Sequence, residues 1–362
     1  MSLTILPAAD VLAQLDSYDT VIDARSEDEY ADDHLPGAVN WPTLNNAERI
    51  LIGTLYKQVN QFEAKKRGAA LAARNIAAHI EREVIDKPRD WKPLTYCWRG
   101  GKRSGSLSLI LDQIGFRVTL VEGGYKAFRA AMLQDIPNHV ARLNFRVVCG
   151  TTGSGKTRLL HALAAQGAQV LDLEGLARHK GSMLGAVPGQ DQPTQKAFET
   201  QMATVIEGFD LSQPVFVEAE SRKIGRLSLP TSLVERMRAS PCIEIVAPDE
   251  ARVTFLLRDY AYLGDDGAAL AERLDPLRTL HGHETVNRWQ AWAKASNLPP
   301  LFEELTRLHY DPLYARSQAL HFHQWEARQP LHSEVLDEAG IQQLAQAMLA
   351  QLTPLSPLSE SP

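Results

Sequence analysis

The segment Asn144-Phe145-Arg146-Val147-Val148-Cys149 has the length and apolarity of a strand. It runs straight into Gly150-Thr151-Thr152-Gly153-Ser154-Gly155-Lys156-Thr157, and Arg158 to Ala165 follows with the pattern of a helix. No other stretch restricts the fold as much. The loop fits G-x-x-x-x-G-K-T completely, in the strand-to-helix context that gives the pattern its meaning. Backbone N–H groups of such a loop cradle phosphates, Lys156 neutralises them, and the Thr157 hydroxyl can hold Mg²⁺. A glycine-rich turn arising by chance would lack the flanking strand and helix. Residues 140–247 are therefore expected to form a phosphate-binding α/β domain.

Two further apolar runs supply acids to that domain. Val170-Leu171-Asp172-Leu173-Glu174 offers Asp172, and Val215-Phe216-Val217-Glu218-Ala219-Glu220 offers Glu218 and Glu220. Each is a candidate to hold Mg²⁺ directly or through water. Neither run is the usual apolar-run-then-Asp of an ATPase, and no N-K-x-D for guanine is present, so whether ATP or any nucleotide binds is left open. Cys149 and Cys242 lie in apolar strands and read as small core residues; no structural metal is expected. After Pro248 the chain reads as helical to Leu352, and Thr353 to Pro362, rich in Pro and Ser, reads as a disordered tail.

A second strand-loop-helix unit precedes the first. Pro93-Leu94-Thr95-Tyr96 is a short strand, Gly105 to Leu111 starts an amphipathic helix, and Cys97-Trp98-Arg99-Gly100-Gly101-Lys102-Arg103 joins them. A thiol at a strand's C-terminal end faces converging N–H groups and a helix dipole, and three cations flank it. All these favour the thiolate, the nucleophilic form. Gly100 and Gly101 let the backbone curl around an anion beside the sulfur. Asp23 and His34 read as strand-end and turn residues rather than chemistry.

With 44% hydrophobic and 23% charged residues the chain of 362 residues is globular, and its length suggests two or three domains. A net charge of −6 excludes a globally basic nucleic-acid binder but not a local basic surface. Three cysteines make no disulfide framework, the N-terminus lacks a signal peptide's basic region, and no apolar run reaches the ~18 residues of a membrane span. A cytoplasmic protein with no membrane partner is expected.

The pieces Val21-Ile22-Asp23-Ala24-Arg25, Glu29-Tyr30, His34-Leu35-Pro36-Gly37-Ala38 and Glu122-Gly123-Gly124-Tyr125, with Cys97 as the active-site cysteine, resemble a rhodanese domain over residues 1–135. The segment 43–92 is long for that family. It is expected to be helical from Phe62 to Val84 and carries Lys57, Lys65, Lys66, Arg67 and Arg74 among its cations. These are either a solvated helix face or a polyanion-binding insertion.

A rhodanese domain followed by a P-loop domain resembles the tRNA 2-selenouridine synthases. The resemblance spans nearly the whole chain and includes Tyr96 to Gly105, Asp172 to Ala177 with His179 to Ser182, and Glu218 to Gly225. It implies an N-terminal rhodanese-like parallel sheet, a P-loop α/β domain and a helical C-terminal region at 248–352. It also implies a tRNA-modifying transferase acting on wobble 2-thiouridine. That family attaches a geranyl group from geranyl diphosphate to sulfur, then uses selenophosphate to exchange the geranylthio group for selenium. The diphosphate would then lie in the Gly150–Thr157 loop with Mg²⁺ and the selenophosphate in the Cys97 loop. Lys57, Lys65, Lys66, Arg67, Arg74, Arg222, Lys223 and Arg226 are the candidate tRNA contacts, and Trp98 either stacks on a splayed base or packs. A plain sulfurtransferase or sulfur-relay ATPase, and a redox-sensing RNA-binding protein, stay open on the residues alone. The tRNA set and the oligomeric state are not readable from the sequence.

Overall fold

The computed structural model describes residues 3–351, which group into two units. The tail expected at 353–362 lies outside the described residues. One unit holds the chain up to Asn138 together with Pro193–Glu207; the other holds His139–Gln192 and the chain from Gly208 onward.

The first unit is built on strands β1 (Thr4–Leu6), β2 (Thr20–Asp23), β3 (Ala38–Asn40), β4 (Pro93–Tyr96) and β5 (Thr119–Val121). They form one sheet in the order β1-β5-β4-β2-β3, with every pair parallel. β4 is central and buried along its whole length. The helix Lys102–Ile114 lays Leu107 and Leu111, one turn apart, into the core with Ile22, Trp91 and Phe116. The segment 43–92 is a pair of helices, Asn46–Gln58 and Gln61–Glu83, where a single one starting at Phe62 is expected. Asn45 and Glu48 cap the first helix reciprocally, and the Asn60 side chain accepts from the Phe62 and Glu63 amides to start the second.

The second unit contains β6 (Asn144–Cys149), β7 (Gln169–Leu171), β8 (Pro214–Glu218), the short hairpin β9 (Lys223–Ile224) and β10 (Leu227–Ser228), β11 (Cys242–Val246) and β12 (Gln329–His332). Its parallel sheet has the order β12-β11-β6-β8-β7, so the strand that feeds the phosphate loop is again central.

Three expectations need correction. The region 248–352 is not purely helical, because β12 pairs with β11 at the sheet edge. Pro330 hides this strand in the sequence, and an edge is where a proline is tolerated. The helix Glu338–Ala350 then packs Ile341, Leu344 and Met348 into one core with Leu159, Leu160 and Leu163 of the phosphate-loop helix Lys156–Ala165. Second, Val170 to Glu174 is not a continuous strand: β7 ends at Leu171, and Asp172 caps the helix Leu173–Ala177.

Third, Pro193–Glu207, expected inside the 140–247 domain, belongs to the first unit. Asp33 holds it there. This buried carboxylate accepts hydrogen bonds from Thr200 Oγ1 at 2.8 Å, Tyr125 Oη at 2.7 Å and Arg129 at 3.3 Å, and Arg129 also pairs with Glu199. Lys196 reaches Asp32 at 2.5 Å.

Among the described residues no helix is long and apolar enough to cross a membrane. Replacing Asp33 by Ala strands Arg129, Tyr125 and Thr200 together, at a cost of about 3 kcal/mol or more. The expected result is a lower urea midpoint for the first unit; an unchanged midpoint would mean that apolar contacts alone hold the helix Gln195–Glu207.

Candidate active site

Cys97 follows the central strand directly and is 3% exposed. Its Sγ accepts from the Gly101 amide at 3.2 Å and from the Ser104 hydroxyl at 3.1 Å, at the N-cap and in the first turn of the helix Lys102–Ile114. The segment Glu122 to Tyr125 closes the loop from behind. Tyr125 N–H donates to the Cys97 carbonyl at 2.9 Å and Lys126 N–H to that of Trp98 at 3.2 Å. Gly124, at φ +60°, sits so close that a Cβ there would lie 2.2 Å from the Cys97 carbonyl oxygen. Beneath the loop Arg25 is buried, paired with Asp23 at 2.6 Å and stacked 4.0 Å over the Tyr125 ring.

The cations around the thiol are not equivalent. Arg99 and Lys102 are exposed, whereas Arg103 turns to Glu29 and makes a two-pronged ion pair at 2.6 and 3.2 Å. Burial pushes the Glu29 carboxyl up, but Arg103 outweighs it and the net shift is down. Arg103 therefore fixes the loop helix to Glu29 and does not supply free charge to the sulfur. Trp98 packs on Tyr125 with ring centroids 5.4 Å apart, and Lys196 lies 6.0 Å over its ring. Asp23 binds Arg25, and His34 stacks on Tyr30 at 3.9 Å.

In the second unit the phosphate loop curls between β6 and its helix. Gly155 stands at φ +78°, which strains any residue with a side chain, and a Cβ there would also have to push aside the Ile341 Cδ1 methyl at 2.8 Å. Lys156 Nζ donates to the Gly150 carbonyl at 3.0 Å and lies 5.0 Å over the Tyr314 ring. Thr157 Oγ1 donates to Glu174 at 3.0 Å.

Glu174, Glu218 and Glu220 bring carboxylate oxygens within 4.8 Å of one another. Asp172, a sequence candidate for this role, is instead committed to its cap: it accepts from the Gly175 amide at 2.8 Å and pairs with His161. Glu174 takes its place. An aspartate right after a strand, followed by a short helical pattern, is a cap signal, and reading it so points to the next acid. Burial, then the charges of Glu218 and Glu220, push Glu174 up to about 10; burial, then Glu218, push Glu220 up to about 7. Lys156 offsets only part of this. Glu218 Oε1 is buried without a hydrogen-bond partner. Crowded oxygen donors, an orphaned acceptor and the Thr157 hydroxyl fit a hard divalent cation such as Mg²⁺.

A cavity of about 580 Å³ opens over these groups, within the range of small-molecule sites. Its wall also includes the apolar Met183, Phe255, Leu313, Tyr314 and Phe322. The helix Asp311–His321, which supplies much of that wall, is tied to the loop by Arg252. This buried guanidinium donates to the Thr152 carbonyl at 2.9 Å and pairs with Asp311 at 2.6 Å. Nothing in the spacing of the helical region signals either residue.

The candidate tRNA contacts divide. Lys57, Lys65, Arg67 and Arg74 are exposed on the helix pair, with the exposed aromatics Tyr56 and Phe62 among them. Lys66 is exposed too but pairs with Glu63 at 2.5 Å. Arg222, just before the β9–β10 hairpin, and Lys223 on it are exposed, whereas Arg226 is held to Gln192.

Residues 7–131 match the rhodanese-like domain family, and residues 143–275 match the family described as the tRNA 2-selenouridine synthase AAA domain. The chain is 36% identical over 280 residues to a tRNA 2-selenouridine synthase of Nitrosomonas europaea, covering 75% of this chain and 71% of the relative. It is 37% identical over 270 residues to that of Nitrosomonas eutropha, covering 73% and 69%, and 34% identical over 310 residues to that of Cronobacter sakazakii, covering 81% and 80%.

The carboxylate cluster carries a signed pH dependence. Glutamates whose folded values lie above the free value of 4.5 favour folding when protonated, so their contribution is full below pH 4.5 and is lost as pH rises through about 7 and then about 10. Thermal melting with a chelator should fall over that window, and millimolar Mg²⁺ should flatten the fall. Melting curves that Mg²⁺ does not move would remove the cation from this site.

Proposed function

Because the chain belongs to the tRNA 2-selenouridine synthases, we propose that it converts wobble 2-thiouridine of tRNA to 2-selenouridine in two steps run by two sites. It is a tRNA-modifying transferase. In the first step geranyl diphosphate enters the cavity of the second unit, its diphosphate in the Gly150–Thr157 loop and its chain against the apolar wall. The thiocarbonyl sulfur bonds to the geranyl C1, the C1–O bond breaks, the electron pair leaves with diphosphate, and the uracil N3 gives up its proton. In the second step selenium of selenophosphate bonds to C2, the C2–S bond breaks and the geranylthio group leaves as geranylthiol, while water takes the phosphoryl group as the P–Se bond breaks, so that phosphate is released and N3 regains a proton; Cys97 is the reactive thiol of that site.

The single observation that carries this reading is the joining of a phosphate loop, a carboxylate cluster and an apolar wall in one cavity. The apolar side gives a geranyl chain a surface to pack against. Mg²⁺ held by Glu174, Glu218, Glu220 and Thr157 would supply charge neutralisation that makes diphosphate a better leaving group. Lys156, close enough to those carboxylates to lower Glu174 and Glu220, binds the same anion from the loop side. Around Cys97 the Gly101 amide and the Ser104 hydroxyl donate to the sulfur and fix its position, and exposed Arg99 and Lys102 attract the selenophosphate anion. The exposed cations of the 43–92 helices, with Tyr56 and Phe62, form the surface offered to the RNA backbone.

The sites should separate by mutation. Incubation of thiolated tRNA with geranyl diphosphate and then selenophosphate, read by nucleoside mass spectrometry, is expected to give S-geranyl-2-thiouridine and no 2-selenouridine from Cys97→Ser. The Lys156→Ala protein should leave 2-thiouridine untouched. Near wild-type selenouridine from Cys97→Ser would refute the role of the thiol, and geranylation by Lys156→Ala would remove the phosphate loop from the first step.

Neutralising Lys65, Lys66 and Arg67 together should weaken tRNA binding and flatten its salt dependence, by about one unit of log–log slope per lost phosphate contact. A triple variant with the wild-type slope assigns these residues to solvent.

A further inference from the structure

When sulfur becomes a thioether the ring cannot keep its N3 proton, and of the three imidazoles that line the cavity, His161, His309 and His321, it is His309 that is buried. His309 is 7% exposed and lines the cavity with Lys156, Glu174 and Tyr314. It lies on a turn of π-helix, Thr306–Tyr310, a rare geometry that is frequent at functional sites. Its Nδ1 is 3.0 Å from Nε2 of His281, and the two rings meet edge to face at 5.2 Å. His281 stands just before a break in its own helix, at Gly282 with φ +78°, and is half-exposed. The pair thus leads from the buried wall of the cavity to a half-exposed ring.

We propose that His309 and His281 are a proton relay for the S-alkylation step, an inference that rests on the geranyl-transfer reading above. His309 carries its proton on Nδ1 and accepts the N3 proton on Nε2. The N3 electron pair forms the C2–N3 double bond as the C2–S bond becomes single. The Nδ1 proton then passes to His281 Nε2, and His281 releases its own Nδ1 proton to water. Every proton is accounted for, and no oxidant or further reactant is required.

The titratable groups facing His309 are His281, from the helix Arg278–Lys294, and Tyr310, from its own turn, with ring centroids 4.9 Å apart. Among the charged residues lining the same cavity are Lys156, Lys180, Asp259 and the three glutamates. Burial, and then the neighbouring imidazole, hold His309 below the ordinary value of 6.5, so it stands neutral and ready to accept. Trp289 packs 5.1 Å from the His281 ring and keeps the outer imidazole in place.

The test is single-turnover S-geranylation of a 2-thiouridine RNA across a pH series, using the full chain and geranyl diphosphate. Wild type should show an acid limb. His309→Gln should lower the rate about 100-fold or more with unchanged affinity for geranyl diphosphate, and should lose that limb. His281→Gln should shift the limb with a smaller loss of rate. Added imidazole should restore part of the rate to His309→Ala, which a packing role would not allow. A His309→Gln protein that keeps the wild-type acid limb, a loss of rate that follows lost geranyl diphosphate binding, or no rescue by imidazole overturns the relay while leaving geranyl transfer standing. Absence of any S-geranyl product from the wild-type chain overturns the parent reading, and the relay with it.

Discussion

Both sites depend on one constraint. Where a central parallel strand stops and a helix begins, several backbone N–H groups point into the same space and no other part of the backbone can satisfy them. The chain meets this constraint twice, after β4 with a thiol and after β6 with a lysine. Each loop is braced from behind by a distant segment. Tyr125 and Lys126 hold the Cys97 loop through their amides, and Arg252 holds the phosphate loop through the Thr152 carbonyl. The reactive side chains are short extensions of rigid backbone, which gives a site its positional accuracy.

Around the phosphate loop the electrostatics are left deliberately unbalanced. Three glutamates are crowded together where water is scarce, and one lysine faces them. An arrangement of that kind is unfavourable for the isolated chain and becomes favourable when cation and anion arrive together. The Cys97 loop is the opposite case. Its buried pair, Arg25 with Asp23, and its part-buried pair, Arg103 with Glu29, are already matched, so what remains open to an incoming anion is the thiol and the exposed Arg99 and Lys102.

Much of this was legible in the chain before any coordinates. The phosphate loop and the thiol loop announce themselves because glycine placement, strand and helix agree locally. The fold class followed from the alternation of strands with helices. What escaped was long-range. Glu174 was hidden behind Asp172 because both acids follow the same strand and only the cap geometry tells them apart. Arg252 and Asp311 are 59 positions apart and meet only in the fold. His309 owes its cavity position to a π turn, which has no propensity signature, and β12 was masked by Pro330.

The bond network of Asp33 has a consequence for how the molecule comes into being. A sulfurtransferase-like unit at the start of a chain would ordinarily fold as soon as it clears the ribosome. Here a buried carboxylate at position 33 waits for Thr200, and Arg129 for Glu199, so the first unit is incomplete until residue 207 has emerged. By then β6, its phosphate loop and β7 have also been made. Nascent chains of this protein must therefore carry an unfinished first unit through the synthesis of His139–Gln192 of the second, and a cut at the apparent boundary near residue 138 would deliver the first unit without Pro193–Glu207.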